Sequence, residues 1–223
     1  MSGILDLFYP RRCLGCGRIG RYFCQKCRLH IPKMEKLICP VCLKSSFDGL
    51  THLNCRSNFC PDGLFVSTYY RGIMKKALKM LKYRLVRDLA PEIAGLFLES
   101  CPSYLLRLNL LIPVPLYPGR QRERGFNQSE ILVREMAGRL KIKQTSNNLI
   151  RIRSTQPQFG LEKKTRLSNV KNAFSLKTPQ TIKGKQIGLI DDVTTTGATL
   201  RECAKVLKIG GAVKVWGLVI AHG

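Results

Sequence analysis

Past residue 63 the apolar positions fall into short blocks that alternate with helical stripes. Residues 64–70 are rich in β-branched and aromatic side chains and predict a strand. A helix follows over 73–83: Ile73, Met74, Ala77, Leu78 and Leu81 gather on one arc, and Lys75, Lys76, Lys79 and Lys82 on the other. Arg84 and Arg87 extend the basic face. Residues 109–115 form a second short apolar strand, ended by Pro113 and Pro115, which cannot continue a central ladder. A loop with Arg120, Arg122, Arg124, Gly125, Phe126 and Asn127 then leads into a helical pattern over 129–140. Residues 151–174 carry Arg151, Arg153, Thr155, Gln156, Gln158, Arg166 and Asn169 with few apolar positions between, and read as a mobile segment. An apolar strand over 186–190 precedes a helix over 198–208, with Leu200, Ala204 and Leu207 at helical spacing and Gly210-Gly211 as its stop. This alternation predicts an α/β domain, a parallel sheet with helices on both faces and ligand loops at the strands' C-terminal edge.

Asp191, Asp192, Val193, Thr194, Thr195, Thr196, Gly197, Ala198 and Thr199 join that last strand to its helix, and the Asp and Thr residues are expected in the connecting loop. Unpaired N–H groups and the positive end of the macrodipole at a helix start attract phosphate. The threonine hydroxyls add donors, and Gly197 lets the backbone approach closely. Two carboxylates at a strand's end can accept hydrogen bonds from vicinal sugar hydroxyls and help hold a hydrated Mg²⁺. The segment therefore predicts a sugar-phosphate site. It resembles the phosphoribosyl diphosphate (PRPP) signature of type I phosphoribosyltransferases. Neither a GxxxxGK[ST] loop nor a well-placed GxGxxG competes with it.

Eight of the ten cysteines lie before residue 61, which divides the chain into a cysteine-rich unit over 1–62 and the α/β domain over 63–223. The pairs Cys13/Cys16, Cys24/Cys27 and Cys39/Cys42 have CxxC spacing, and Cys55/Cys60 is looser. Such turns aim two sulfurs at one ion, and tetrahedral Zn²⁺ takes four ligands without redox chemistry of its own. Two sequential ribbons, Cys13/Cys16/Cys24/Cys27 and Cys39/Cys42/Cys55/Cys60, are the simplest assignment. An interleaved pairing, or one occupied site with the last pair free, uses the same residues. His30 and His52 are substitute ligands in principle, and both read as solvated loop residues. In so small an apolar segment, structural zinc supplies much of the folding free energy.

Lysine and arginine number 38 against 14 acids, a formal charge of +24, which points to polyanionic partners and salt-dependent, sequence-independent binding to nucleic acid. No apolar run reaches the roughly 18 residues that a membrane span needs, and residues 1–10 lack the basic and apolar regions of a secretory leader. Unbridged CxxC pairs suit a reducing compartment, so no membrane insertion and a cytoplasmic location are expected.

In chain order, Pro113-Val114-Pro115-Leu116, the run Arg122-Glu123-Arg124-Gly125-Phe126-Asn127-Gln128, Thr155-x2-Gln158, Arg166-x2-Asn169-Val170-x2-Ala173-Phe174 and the acidic segment resemble the ComF competence family. That resemblance spans nearly the whole chain. It implies a zinc ribbon joined to a type I phosphoribosyltransferase-like domain, a part in natural transformation and DNA uptake, contact with single-stranded DNA, and uptake or recombination proteins as partners. By the same resemblance Asp191 and Asp192 orient the ribose of PRPP, Arg122 and Arg124 meet its pyrophosphate, Thr194 to Thr199 hold the remaining phosphate, and Mg²⁺ accompanies the ligand. Three uses stay open: a transferase with an unknown acceptor, a non-catalytic zinc-dependent nucleic-acid-binding module, and an adaptor of the uptake machinery.

Overall fold

Strand β6 (Gln186–Thr194) carries buried residues on both faces, a pattern that fits only the interior of a sheet. The computed structural model describes residues 10–83, 86–155 and 168–223; Arg84, Gln156, Gln158 and Arg166 lie outside the described residues, as does the Arg87 side chain. Among the described residues the central sheet has five strands, all parallel: β1 (Gly63–Tyr69), β7 (Lys214–His222), β6, β2 (Leu110–Pro113) and β3 (Lys143–Gln144), in that spatial order. A separate antiparallel pair joins β4 (Leu149–Arg151) to β5 (Phe174–Leu176).

The alternation of side chains along each strand divides the core in two. Phe65, Leu111, Ile190, Leu218 and Ile220 face one layer, where Met74, Leu78 and Leu81 of α2 (Gly72–Tyr83), Ile93 and Phe97 of α3 (Ala90–Ser100), and Leu132, Val133 and Met136 of α5 (Gln128–Leu140) cover them. Leu64, Val66, Ile112, Ile187, Leu189 and Val219 face the other, against Leu200, Cys203, Ala204 and Leu207 of α6 (Ala198–Ile209) and the small β4–β5 sheet. The fold is the expected α/β arrangement with helices on both faces, preceded by the cysteine-rich region.

Two expectations need correction. Residues expected as a loop after β2 include a short helix, α4 (Pro118–Arg124). Pro118 at its first turn has no N–H to leave unpaired, and Gly125 closes it with a left-handed φ of 77°, so local chemistry makes a turn of helix from a polar run. The acidic pair, expected in a loop, belongs to β6 itself. Strand β7 continues alongside, pairing Asp191 with Val219, Val193 with Ala221 and Thr194 with His222.

The cysteine-rich region, which includes the short helix α1 (Gln25–Leu29), runs along the open side of β1. Isolated antiparallel bridges join Lys33 to Thr68 and Leu50 to Gly63, and Met34 N–H donates to Ser67 O at 3.0 Å. Tyr22, Phe23 and Ile31 enter the first apolar layer. Both carboxylate oxygens of Glu92, in the first turn of α3, accept backbone N–H groups, from Tyr22 at 3.2 Å and Phe23 at 3.0 Å. An edge that would otherwise present unpaired backbone groups is thereby covered. Among the described residues, no helix is long and apolar enough to cross a membrane.

The join between region and sheet is tight at Gly63, where an added Cβ would stand 2.3 Å from the Trp216 ring. Gly63→Ala should therefore lower unfolding free energy by about 1–3 kcal/mol. Urea denaturation followed through Trp216, the chain's single tryptophan, checks this; an unchanged midpoint would mean that the ring moves aside freely.

Candidate functional site

Neighbouring residues of a strand send their side chains to opposite faces, so the two carboxylates at the end of β6 meet different surroundings. Asp192 is 3% exposed and lies on the side covered by α2 and α5. The Lys82 ammonium approaches its Oδ2 to 2.5 Å, and Gln128 Nε2 donates to its Oδ1 at 3.3 Å. Arg124 in turn donates to Gln128 Oε1 at 2.5 Å, so a line of donors runs from guanidinium to amide to carboxylate. Asp191 Oδ1 accepts from Ser129 Oγ at 3.3 Å and from the Asp192 N–H at 2.9 Å. Burial, then repulsion from Asp192, pushes the Asp191 carboxyl well above the usual carboxylate range, with Lys82 pulling the other way. Burial also works against the Lys82 charge, but attraction to Asp192 outweighs it and its pKa rises.

The start of α5 is built to deliver these contacts. Asn127 caps it, its side-chain oxygen accepting Ser129 N–H at 3.0 Å while its Nδ2 donates to Val114 O at 3.0 Å. The cap fixes the helix start and the bond to Val114 ties it to the end of β2, which sets Gln128 and Ser129 over the acidic pair.

From Thr194 the chain turns into α6, with Gly197 at the N-cap in a left-handed conformation of φ 69°. Thr194 and Thr196 are buried, and Thr195 and Thr199 are partly exposed. Gly197 has a second reason to lack a side chain: a Cβ there would come within 2.8 Å of Pro40 O, in the second cysteine knuckle. Arg201, one turn into α6, donates to Val41 O at 2.7 Å. The threonine turn is therefore walled by the cysteine-rich region. His222, at the end of β7, pairs with Thr194 across the ladder and has its Nε2 buried without a hydrogen-bond partner. Burial lowers its pKa.

Among the expected arginines, Arg124 reaches the acidic pair through Gln128, whereas Arg122 is exposed on α4. Arg151, from the segment read as mobile, is the better placed cation. It stacks over Phe174 with its guanidinium carbon 5.5 Å from the ring centroid and donates to Thr155 Oγ1. Burial, then the nearby Arg120 charge, lowers its pKa, while Cys203 and Asp191 act in the opposite sense. Lys82, expected on a solvated face, joins the site, as do Ser129, Gln128 and His222, for which no ligand role is expected from sequence. The signal for Gln128 and Ser129 was their position directly after a helix-capping Asn.

Both expected metal centres assemble as clusters of ligand atoms, with one change of membership. Cys13, Cys16, Cys24 and Cys27 bring their sulfurs within 4.8 Å of one another, and the Cys16–Cys24 separation is 3.7 Å. A tetrahedron with Zn–S bonds of about 2.3 Å has edges of about 3.8 Å, so the donor set fits zinc. Burial would raise the Cys13 thiol, but backbone N–H groups from Cys24, Cys16 and Gly15 hold it down to about 6. The second group is Cys39, Cys42, His52 and Cys55. Cys60, expected as its fourth ligand, stands outside: the Ser57–Cys60 turn directs its sulfur to its own backbone, at 3.3 Å from both Ser57 N and Ser57 O. His52, expected to be solvated, sets Nδ1 3.3 Å from Cys42 Sγ, and its Nε2 lies 3.0 Å from Ser45 O. Donation from Nε2 to that carbonyl leaves Nδ1 as the ligand atom.

The acidic pair fits a directly bound Mg²⁺ poorly. Mg²⁺ needs near-octahedral oxygen donors at about 2.0–2.1 Å. Both oxygens of Asp192 are engaged by Lys82 and Gln128, and Asp191 Oδ1 accepts two bonds.

Purified chain should carry about two zinc ions by mass spectrometry of the metal. His52→Ala should lower this to about one, and Cys60→Ser should leave it unchanged; the reverse outcome would restore Cys60 as the ligand.

Residues 4–62 match the double zinc ribbon domain family. Over 190 residues the chain is 33% identical to the DNA utilization protein YhgH of Salmonella typhimurium, covering 81% of this chain and 83% of that one. It is 42% identical to competence protein F of Haemophilus influenzae over 114 residues, half the length of each chain. Competence protein ComFC of Bacillus subtilis matches at 29% over 82% of this chain and 77% of its own. Among solved structures, the allosteric regulatory enzyme of purine biosynthesis is similar over 60% of this chain and 26% of that one, at 16% identity and a TM-score of 0.39. A purine phosphoribosyltransferase of Pyrococcus horikoshii is similar over 71% of this chain and 78% of its own, at 14% identity and a TM-score of 0.32. At these scores the architecture stands on its strand order and register rather than on the likeness. With a double zinc ribbon followed by this α/β domain, and extended identity to these proteins, the chain belongs to the ComF family.

Proposed function

We propose that this chain binds PRPP or a related ribose phosphate at the end of β6 and acts in the handling of DNA taken up by the cell. One observation carries the ligand reading: β6 passes an acidic pair directly into a threonine turn whose glycine caps α6, at the C-terminal edge of a parallel sheet. In this reading the turn and the first N–H groups of α6 hold the 5-phosphate, as helix starts hold anions elsewhere. Asp191 and Asp192 orient the ribose hydroxyls, and Arg120 and Arg151 are the cations assigned to the diphosphate. Mg²⁺ arrives as the counter-ion of that diphosphate rather than as a ligand of the carboxylates.

The DNA reading rests on the relatives' names, a competence protein and a DNA utilization protein. The charge of +24 supports contact with single-stranded DNA. Exposed Lys75, Lys76 and Lys79 on α2 are the first candidates for that contact. A cytoplasmic location and cooperation with uptake or recombination proteins follow from the same reading. So does a two-part organisation with zinc ribbons over 1–62 and the ligand domain over 63–223.

Two uses of the site differ in chemistry. In a transferase, a nucleophile attacks the ribose carbon as pyrophosphate leaves, and cations stabilise the departing charge. In a recognition module the same contacts bind the ligand and stop there. Two cavities of about 450 Å³ among the described residues, one between α3 and α5 and one beside the second ribbon, lie away from Asp191, Asp192 and Thr194 to Thr199.

Calorimetry with PRPP and Mg²⁺ should show binding that Asp191→Asn and Thr196→Val each weaken at least about tenfold, a loss of about 1.4 kcal/mol. Absence of binding, or indifference to both substitutions, would refute the ligand reading. Anisotropy with a single-stranded oligonucleotide should give affinity that falls linearly with log salt and that charge reversal at Lys75 and Lys79 weakens. Pyrophosphate release with any acceptor from a panel of bases and nucleotides would instead establish transfer.

A further inference from the structure

We propose that Lys82 is the resident counter-cation of the acidic pair, its ammonium taking the position a divalent ion would occupy, so that ribose phosphate binds without metal contact at Asp191 or Asp192. The inference rests on the ribose-phosphate reading of the site and adds to it the means by which the carboxylates are neutralised.

Four lysines mark the polar arc of α2. Lys75, Lys76 and Lys79 are exposed, as a solvated helix face should be. Lys82 differs, with a side chain 19% exposed against an Asp192 side chain 4% exposed, and the charges meet at 2.5 Å. Burying the ammonium at the sheet end is unfavourable without a partner, and Asp192 is that partner. The other Asp192 oxygen belongs to Gln128, itself held by Arg124. A divalent ion could reach Asp192 only by expelling Lys82 from a water-poor position. Mg²⁺ sheds its own water reluctantly and gains little from a carboxylate whose charge Lys82 already balances. The lysine offers the same service in a different form: one positive charge, permanently attached, able to donate a hydrogen bond to a ribose hydroxyl while still facing the carboxylate.

This makes Lys82 a positioning residue with a readout that plain structural packing would not give. Trace metal is removed by passage over a chelating resin, since a soluble chelator strong enough for the task would strip the zinc ribbons. Ribose 5-phosphate serves as probe because it lacks the diphosphate that binds Mg²⁺ in solution. The wild-type chain should bind it with affinities that agree within about twofold with and without Mg²⁺. Lys82→Met should lose at least about tenfold without Mg²⁺ and recover part of that loss with it, whereas Lys82→Arg should stay independent of the metal. In parallel, Mn²⁺ followed by electron paramagnetic resonance should show no ion held at the acidic pair in the wild type. It should show about one equivalent gained in Lys82→Met and none in the Lys82→Met/Asp192→Asn double variant.

Wild-type binding that improves more than about tenfold with Mg²⁺, or wild-type Mn²⁺ uptake that Asp192→Asn removes, would overturn the proposal even if Lys82→Met fails to fold. Failure of the wild type to bind ribose 5-phosphate under any condition, with PRPP also unbound, would overturn the ribose-phosphate reading and this inference with it. Binding that appears only with Mg²⁺ would overturn the Lys82 inference alone.

Discussion

Removing the Asp192 carboxylate from water at the end of β6 costs several kcal/mol unless a cation and donors meet it, and Lys82 with Gln128 supplies both. Much of the site's construction answers to that requirement. Helix α2 must run far enough to bring its eleventh residue, Lys82, to Asp192, and α5 must begin where Asn127 can fasten it to Val114. Asp191, one step along the strand, accepts hydrogen bonds from Ser129 Oγ and the Asp192 N–H, yet burial and repulsion from Asp192 drive its carboxyl upward against the pull of Lys82. Two adjacent residues of one type thus acquire different electrostatic characters from the faces they turn to. That division suits a site in which one acid anchors the framework and the other remains responsive to a ligand.

The cysteine-rich region is structurally part of this arrangement rather than an attachment. It supplies Tyr22, Phe23 and Ile31 to the sheet's first apolar layer, bridges to the edge strand β1, and sets Pro40 O against Gly197. The second knuckle therefore touches the turn that the ligand reading assigns to phosphate, through Arg201 as well as through the glycine contact. Rearrangement at Cys39, Cys42, His52 and Cys55 has a direct mechanical route to the threonine turn. Arg201, the cation in the first turns of α6, is committed to that contact.

Much of the architecture was readable from residue order. Apolar spacing gave β1, α2, β2, α5 and α6 to within a few residues, because each has a one-sided or fully buried pattern that little else explains. Helix α4 was hidden by its polarity, since its stability comes from Pro118 and Gly125 at its ends and not from an apolar stripe. The reach of β6 through Thr194 was hidden for another reason: Asp and Thr read as loop residues, and only the partner β7 keeps them extended. The run Val215–Ala221 has the composition of a doubly buried strand, yet its pairing partner depends on topology that local patterns do not encode. At the metal centres CxxC spacing found six ligands directly. His52 over Cys60 was decided by a four-residue turn that folds the Cys60 sulfur back on the Ser57 backbone. Lys82 could not be told from its neighbours on α2 by sequence, because inward rotation of the helix's last turn is set by what Asp192 offers from another element.

The covering of β1 has a consequence for the order in which the chain becomes safe from itself. The ribbons are synthesised before the sheet they shield and must capture their ions to hold shape, whereas β6 and β7, which complete that sheet, follow them off the ribosome. A cell starved of zinc would thus finish chains whose outermost strand has no cover, and such chains would tend to adhere to one another side by side. Metal supply would then govern how much usable protein accumulates, before any question of ligand arises.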